Sequence, residues 1–248
     1  MYKFTNKYII IYSIIMVAIV AVLLTLGATA LKPLQDKNKK NEKIGYILRA
    51  SRQEFDPKNA EDTYKKLLIK EIAINESGDI IAEFDYINGL RGKLRPFDID
   101  VNTETKKFKE GKSYILPIYL IQNNGDTLTV IPFYGMGLWG AIWGYVALEN
   151  DLNTIHGAVF DHKGETPGLG AEISDLPFQN QFIGKKIFDE NQNFVGVAIV
   201  KGGVRRSNIP ELHGVDAISG GTFTSKGLDN MLLDGFKMAM PYIEKHRN

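Results

Sequence analysis

Tyr8 to Leu31 runs for 24 residues without one charged side chain, rich in Ile, Val, Leu and Ala. A helix needs ~20 apolar residues to cross the hydrocarbon core of a bilayer, so this stretch is long enough to span. The apolar core of a cleaved signal peptide is shorter, ~7–15 residues, and is followed by small residues at the cleavage site. Gly27-Ala28-Thr29-Ala30 imitates such a site, but the length favours a retained anchor over residues 1–31. A buried core helix would carry a polar face, and this run has none. Orientation reads less simply. Lys3 and Lys7 precede the run, whereas Lys32, Lys37, Lys39, Lys40 and Lys43 follow it. Counted literally, these lysines put the C-terminal side in the cytoplasm.

Residues 32–58, polar and charged at their start, read as a juxtamembrane linker, and residues 59–248 as one domain of ordinary size. With no cysteine and only 4 histidines, the chain has no disulfides, thiolate catalysis or cysteine-ligated metal, and a His-rich metal site is not expected. A formal charge of +1 gives no push toward nucleic acid. Residues 59–74 mix apolar and charged side chains without a clear period. Strand-like runs follow at 80–86, 113–121 and 127–134, the last two joined by the turn signal Asn123-Asn124-Gly125-Asp126. Further runs lie at 144–148, 155–160 and 194–200, and residues 176–183 read as a short helical piece. A final helix is predicted over 226–245, with Leu228, Met231, Leu232, Phe236, Ala239 and Ile243 on one stripe and Ser225 as its N-cap. The pattern is α+β: a single N-terminal transmembrane helix, then one domain with an antiparallel sheet and flanking helices.

Several loops are dense in glycine. Gly135-Met136-Gly137-Leu138-Trp139-Gly140 matches the dinucleotide pattern G-x-G-x-x-G, but that pattern needs a helix opening at its third glycine. Here Ile142, Trp143 and Tyr145 favour extended chain. Glu165-Thr166-Pro167-Gly168-Leu169-Gly170 is a turn whose backbone can meet a ligand, and a lone carboxylate such as Glu165 is ordinarily solvated. Lys201-Gly202-Gly203, with Arg205 and Arg206 following, reads either as solvated charge or as an anion cradle. His213 is equally ambiguous. Asp216 to Ser225 sets Ser219, Thr222, Thr224 and Ser225 around Gly220-Gly221, just ahead of the last helix. It is either a cap and turn or an anion-holding loop at a helix N-terminus. The nucleophile elbow G-x-S-x-G is absent, which argues against a serine hydrolase.

Taken together, Gly137-Leu138-Trp139, His156-Gly157 with His162 through Glu172, and His213 through Thr222 resemble the FMN-binding domain family. The resemblance is fullest to the C subunits of sodium-translocating NADH:quinone oxidoreductases and covers essentially the whole chain, including the N-terminal helix. The electron-transport G subunit of the related Rnf complex is the nearest cousin and the alternative reading; a membrane-tethered binding protein without cofactor, using the same loops as turns, is the other. The resemblance implies FMN joined through its phosphate to the hydroxyl of Thr222, with Gly221 standing where the family usually has alanine. It implies Ser219, Gly220 and Gly221 around the phosphate, and Leu138, Trp139, Glu165, Thr166, Gly168, Leu169 and Gly170 near the flavin. It further implies a one-electron carrier within a membrane complex, partnered by the other subunits and by a flavin transferase that installs FMN from FAD. No catalytic residue or metal ligand is implied. The domain would face the periplasm of a bacterial inner membrane, against the lysine count.

Overall fold

The computed structural model describes residues 5–247. Lys3, the first four positions of the expected anchor and Asn248 therefore lie outside the described residues. The chain divides into two compact units, one up to Lys43 and one from Ile44 onward.

Helix α1, Asn6–Ala50, supplies the helical residues of the first unit and opens the second. Its apolar stretch is exposed throughout and is long and apolar enough to cross a membrane. Residues 32–50, expected as part of a linker, are helical instead. Lys, Gln, Glu and Ala are good helix formers, and a polar composition alone does not end a helix. The helix stops where Arg52 takes a left-handed φ of 53°. Within the second unit Ile44, Tyr46, Ile47, Leu48 and Ala50 are buried, so this end of the helix belongs to a core.

The second unit is built on a seven-stranded sheet in the order β3-β2-β1-β4-β5-β6-β7. The strands are β1 Leu68–Asn75, β2 Ile80–Asp85, β3 Gly89–Arg91, β4 Ile115–Asn123, β5 Asp126–Met136, β6 Ala141–Leu148 and β7 Ile155–His162. Every pairing in it is antiparallel. Both faces are covered. Leu116 and Ile118 of β4, Ile131 and Phe133 of β5 and Phe160 of β7 pack with α5, Thr222–His246. Tyr119 and Ile121, Leu128 and Val130, and Tyr145 and Ala147 pack with the end of α1 and with α2, Ala60–Leu67. Alternate residues thus enter two different cores, and this is why the central strands read as apolar runs rather than as alternation. Helix α3, Val101–Lys109, follows its N-cap Asp100, whose carboxylate accepts from the N–H groups of Asn102 and Thr103.

Helix α4, Leu176–Gln179, continues into a 3-10 turn at Asn180–Phe182, as the expected short helical piece. The run at 194–200 contributes only β8, Ala198–Val200, which pairs in parallel with β9, Gly214–Asp216, as a separate two-stranded sheet. Helix α5 begins four residues earlier than the capping signal indicated. Gly221 is its N-cap, and Ser225 is buried in the first turn, where its hydroxyl accepts from Ile218 N–H at 3.3 Å.

Candidate functional site

Three of the four glycine-dense loops meet at one buried carboxylate, Glu165. Residues 137–140 form the tight turn between β5 and β6, closed by Gly137 N–H donating to Gly140 C=O at 2.8 Å. No helix opens there, so the dinucleotide pattern is a hairpin turn. The 165–170 loop follows β7, and Glu165 within it is 4% exposed. Its Oε1 accepts from Trp139 N–H at 2.8 Å, and its Oε2 accepts from the Thr224 hydroxyl at 2.5 Å. The expectation of a solvated loop carboxylate is overturned: a buried carboxylate persists where donors satisfy it, and the fold brings two to this one. Glu165 N–H in turn donates to His162 Nδ1 at 3.1 Å.

Close packing around this clasp requires glycine. A Cβ on Gly137 would press on the Glu165 carboxylate, and one on Gly170 would meet both that carboxylate and the Thr224 hydroxyl. Gly220 has φ +74°, and a Cβ on it would meet Leu169. The 165–170 and 216–225 segments therefore lie against one another. Thr166 builds its own loop, its carbonyl accepting from the N–H groups of Leu169 and Ala171 at 3.1 and 3.2 Å. Gly168 is exposed at φ +76° and shapes the same turn. Trp139 (69% exposed), Leu138 and Leu169 present apolar surface around the clasp. Met136 and Phe223, which motif reading does not single out, are exposed apolar side chains as well.

Beside the clasp lies a cavity of about 610 Å³ lined by Ser219, Gly220, Thr222, Ser225 and Lys226, with Lys201, Gly202 and Gly203 across it. The ambiguous Lys201 loop thus faces the hydroxyl cluster. Asp216 and Asp229 also border the cavity, but each carboxylate is engaged, by Val204 N–H at 2.7 Å and Ile199 N–H at 2.9 Å. No side chain caps the first turn of α5, whose amide groups and dipole suit an anion. His213 lies elsewhere, on a groove with Lys186 and Asp189, its Nδ1 hydrogen-bonded to Lys186 C=O at 2.7 Å.

The hydroxyls are not equivalent. Thr224 is bound to Glu165 and Ser225 to Ile218 N–H, and both are buried. Thr222 is exposed at the rim of the cavity. Its sequence neighbours could not reveal this, because the partner of Thr224 comes from a loop 59 residues away.

The C subunit of the Na(+)-translocating NADH-quinone reductase of Haemophilus ducreyi is 35% identical over 209 residues, 82% of this chain and 79% of the relative. The chain belongs to this family of C subunits. The corresponding protein of Neisseria meningitidis serogroup B is 30% identical over 94% of this chain and 91% of its own length. The crystal structure of the C subunit from Parabacteroides distasonis superimposes with a TM-score of 0.73 at 35% identity, covering 86% of this chain and 96% of that one. The crystal structure of Shewanella oneidensis NqrC gives a TM-score of 0.64 at 29% identity, covering 84% and 98%. Residues 137–237 match the FMN-binding domain family. That match holds the Glu165 clasp, the cavity and Thr222, whereas β1 to β5 precede it.

Proposed function

We propose that this chain is the membrane-anchored flavoprotein subunit of a sodium-pumping NADH:quinone reductase, carrying FMN as a phosphoester on Thr222 Oγ1. The observation that carries the assignment is the state of the three hydroxyls at the start of α5: Thr222 is exposed on the cavity, while Thr224 and Ser225 are buried and hydrogen-bonded.

The residues present fit the group. A phosphodiester keeps one negative charge, matched here by the uncapped first turn of α5 and by Lys201 and Lys226 on the cavity. About 610 Å³ lies within the size of small-molecule and cofactor sites, ~300–1,000 Å³. Leu138, Trp139 and Leu169 offer an apolar bed for the ring, while Glu165 holds the loops that carry them. When bound, the flavin would supply one-electron redox chemistry between other subunits of the complex. In attachment, Thr222 Oγ1 would form the new O–P bond and lose its proton as the pyrophosphate bond of FAD breaks and AMP leaves. A separate flavin transferase would direct that exchange.

Residues 1–31 would be the single anchor in a bacterial inner membrane, with the FMN-binding domain in the periplasm where such a transferase acts. The lysines flanking the anchor favour the opposite orientation, so a C-terminal reporter fusion is a direct test. A cytoplasmic signal would count against this assignment. Protein co-expressed with a flavin transferase should gain the mass of one FMN less water, mapped to the peptide holding residue 222. Thr222→Ala should abolish in-gel flavin fluorescence, and Thr222→Ser should restore it. Fluorescence that survives Thr222→Ala and disappears in Thr224→Ala would move the attachment to residue 224.

A further inference from the structure

The β2–β3 hairpin lies outside the FMN-binding match, and nothing above uses its surface. Ile87 at the tip is 94% exposed, Tyr86 and Leu90 are exposed near it, and Ile81 and Leu94 are exposed toward the base of the hairpin. Single exposed apolar side chains are ordinary. Here they are grouped within residues 81–94 and interleaved with Arg91 and Lys93, which is the composition of an interaction surface. The tip is rigidly presented. The Asp85 carboxylate accepts from Ile87 N–H at 2.8 Å, Asn88 N–H at 2.6 Å and the Asn88 side-chain amide at 3.0 Å. Tyr86 stands edge-on to Phe84 at 5.2 Å, and the Arg95 guanidinium covers Phe84 at 4.0 Å.

The acids of the hairpin are engaged within the domain. Asp85 is enclosed by its own turn, and Glu83 pairs with Lys70 at 2.6 Å and Arg91 at 3.2 Å. Lys93 has no carboxylate at ion-pair distance among the described residues. An added strand is a poor occupant, because β3 is three residues long, carries Arg91 and is followed by Gly92 at φ +117°. Apolar side chains, a tyrosine and the unpaired Lys93 on one rigid tip match a membrane–water interface instead. The helix apt to cross a bilayer in the same chain keeps such a surface at high local concentration.

We propose that the β2–β3 hairpin docks on an anionic lipid surface, with Ile87 and Leu90 entering the headgroup boundary and Lys93 facing lipid phosphates. The contact does not depend on the flavin assignment.

The chain lacks cysteine, so one introduced thiol reports one place. The test uses the full chain in lipid nanodiscs, carrying an environment-sensitive dye on Asn88→Cys and, as a control, on the exposed Asn191→Cys. Nitroxide-labelled lipids should quench the dye at residue 88 and not at residue 191, more strongly with phosphatidylglycerol than with phosphatidylcholine alone. Lys93→Glu should shift the docking equilibrium about fivefold or more toward release, since each basic side chain near an anionic surface contributes ~1 kcal/mol. Ile87→Asp should release the hairpin in both lipids. These positions are exposed, and in Asn88→Cys the backbone N–H groups of residues 87 and 88 still donate to Asp85, so folding is not at stake. Equal quenching at residues 88 and 191 would overturn the proposal. So would a blue-shifted dye that nitroxide lipids do not reach, which would point to a protein partner.

Discussion

Two buried glutamates hold this domain together in different ways. Glu71 on β1 is 0% exposed, and Arg95 closes on it with Nε at 2.9 Å and Nη2 at 2.6 Å. The Tyr64 hydroxyl at 3.1 Å and Phe97 N–H at 3.3 Å complete the set. Glu165 is nearly as buried, yet its partners are one hydroxyl and one amide, with no cation at ion-pair distance among the described residues. The first carboxylate is neutralised where it sits, between α2, β1 and the segment before α3. The second joins the β5–β6 turn, its own loop and the first turn of α5, so its geometry is transmitted to the residues around Thr222. A fully paired buried charge reads as architecture. A carboxylate satisfied only by donors on separate loops reads as a positioning device.

The largest expected effect comes from Glu71→Ala. It would leave the Arg95 guanidinium without its partner, and breaking one side of a buried pair costs ~3–5 kcal/mol. Urea unfolding would read it as a large fall in midpoint at unchanged slope, and a loss below ~1 kcal/mol would erase the contrast with Glu165. Glu165→Ala should cost less, ~1–3 kcal/mol for donors left unsatisfied. Its flavin-to-protein ratio after co-expression with a transferase should nevertheless fall much further than in Glu71→Ala protein purified in its folded fraction. Glu165→Gln keeps an acceptor oxygen and should recover part of the loading. Loading that only follows stability in both variants would make Glu165 another architectural carboxylate.

The smallest effect is one of pH. Burial, with the Glu71 charge adding to it, pushes the Tyr64 hydroxyl well above its ordinary value of 10.0, and burial does the same to Tyr119. The folded state keeps these protons where the unfolded chain gives them up, so their contribution is fully present below pH ~10 and declines as pH rises past it. Unfolding midpoints at pH 9 and pH 11 should differ less in Tyr64→Phe than in the unaltered protein. An unchanged difference would remove Tyr64 from the Glu71 network.

Legibility from the residues varies with the range of the contacts involved. The β4–β5 hairpin is readable because Asn124 and Gly125 are a local turn signal, and both take positive φ. The stripe of α5 is readable because helical period is local. β1 is hidden: Lys70 and Glu71 interrupt its apolar pattern, and Glu71 is tolerated there only because Arg95 arrives from 24 residues away. The continuation of α1 is hidden too, because Pro33 and the polar stretch after it imitate a break, although the helix runs through both to Ala50. Glycine content and family pattern locate the loops of the site, whereas no local signal reveals the burial of Glu165.

By itself, then, the sequence determined the membrane-length helix, the antiparallel α+β class and the glycine loops, since each follows from hydropathy, period or turn chemistry over short separations. The tertiary structure alone decided that three of the loops share one buried carboxylate, that Lys201 and Lys226 line one cavity, and that Thr222 is exposed while Thr224 and Ser225 are engaged. Whether a hydroxyl is free depends on what is packed against it, and the group packed against Thr224 is supplied by a distant loop.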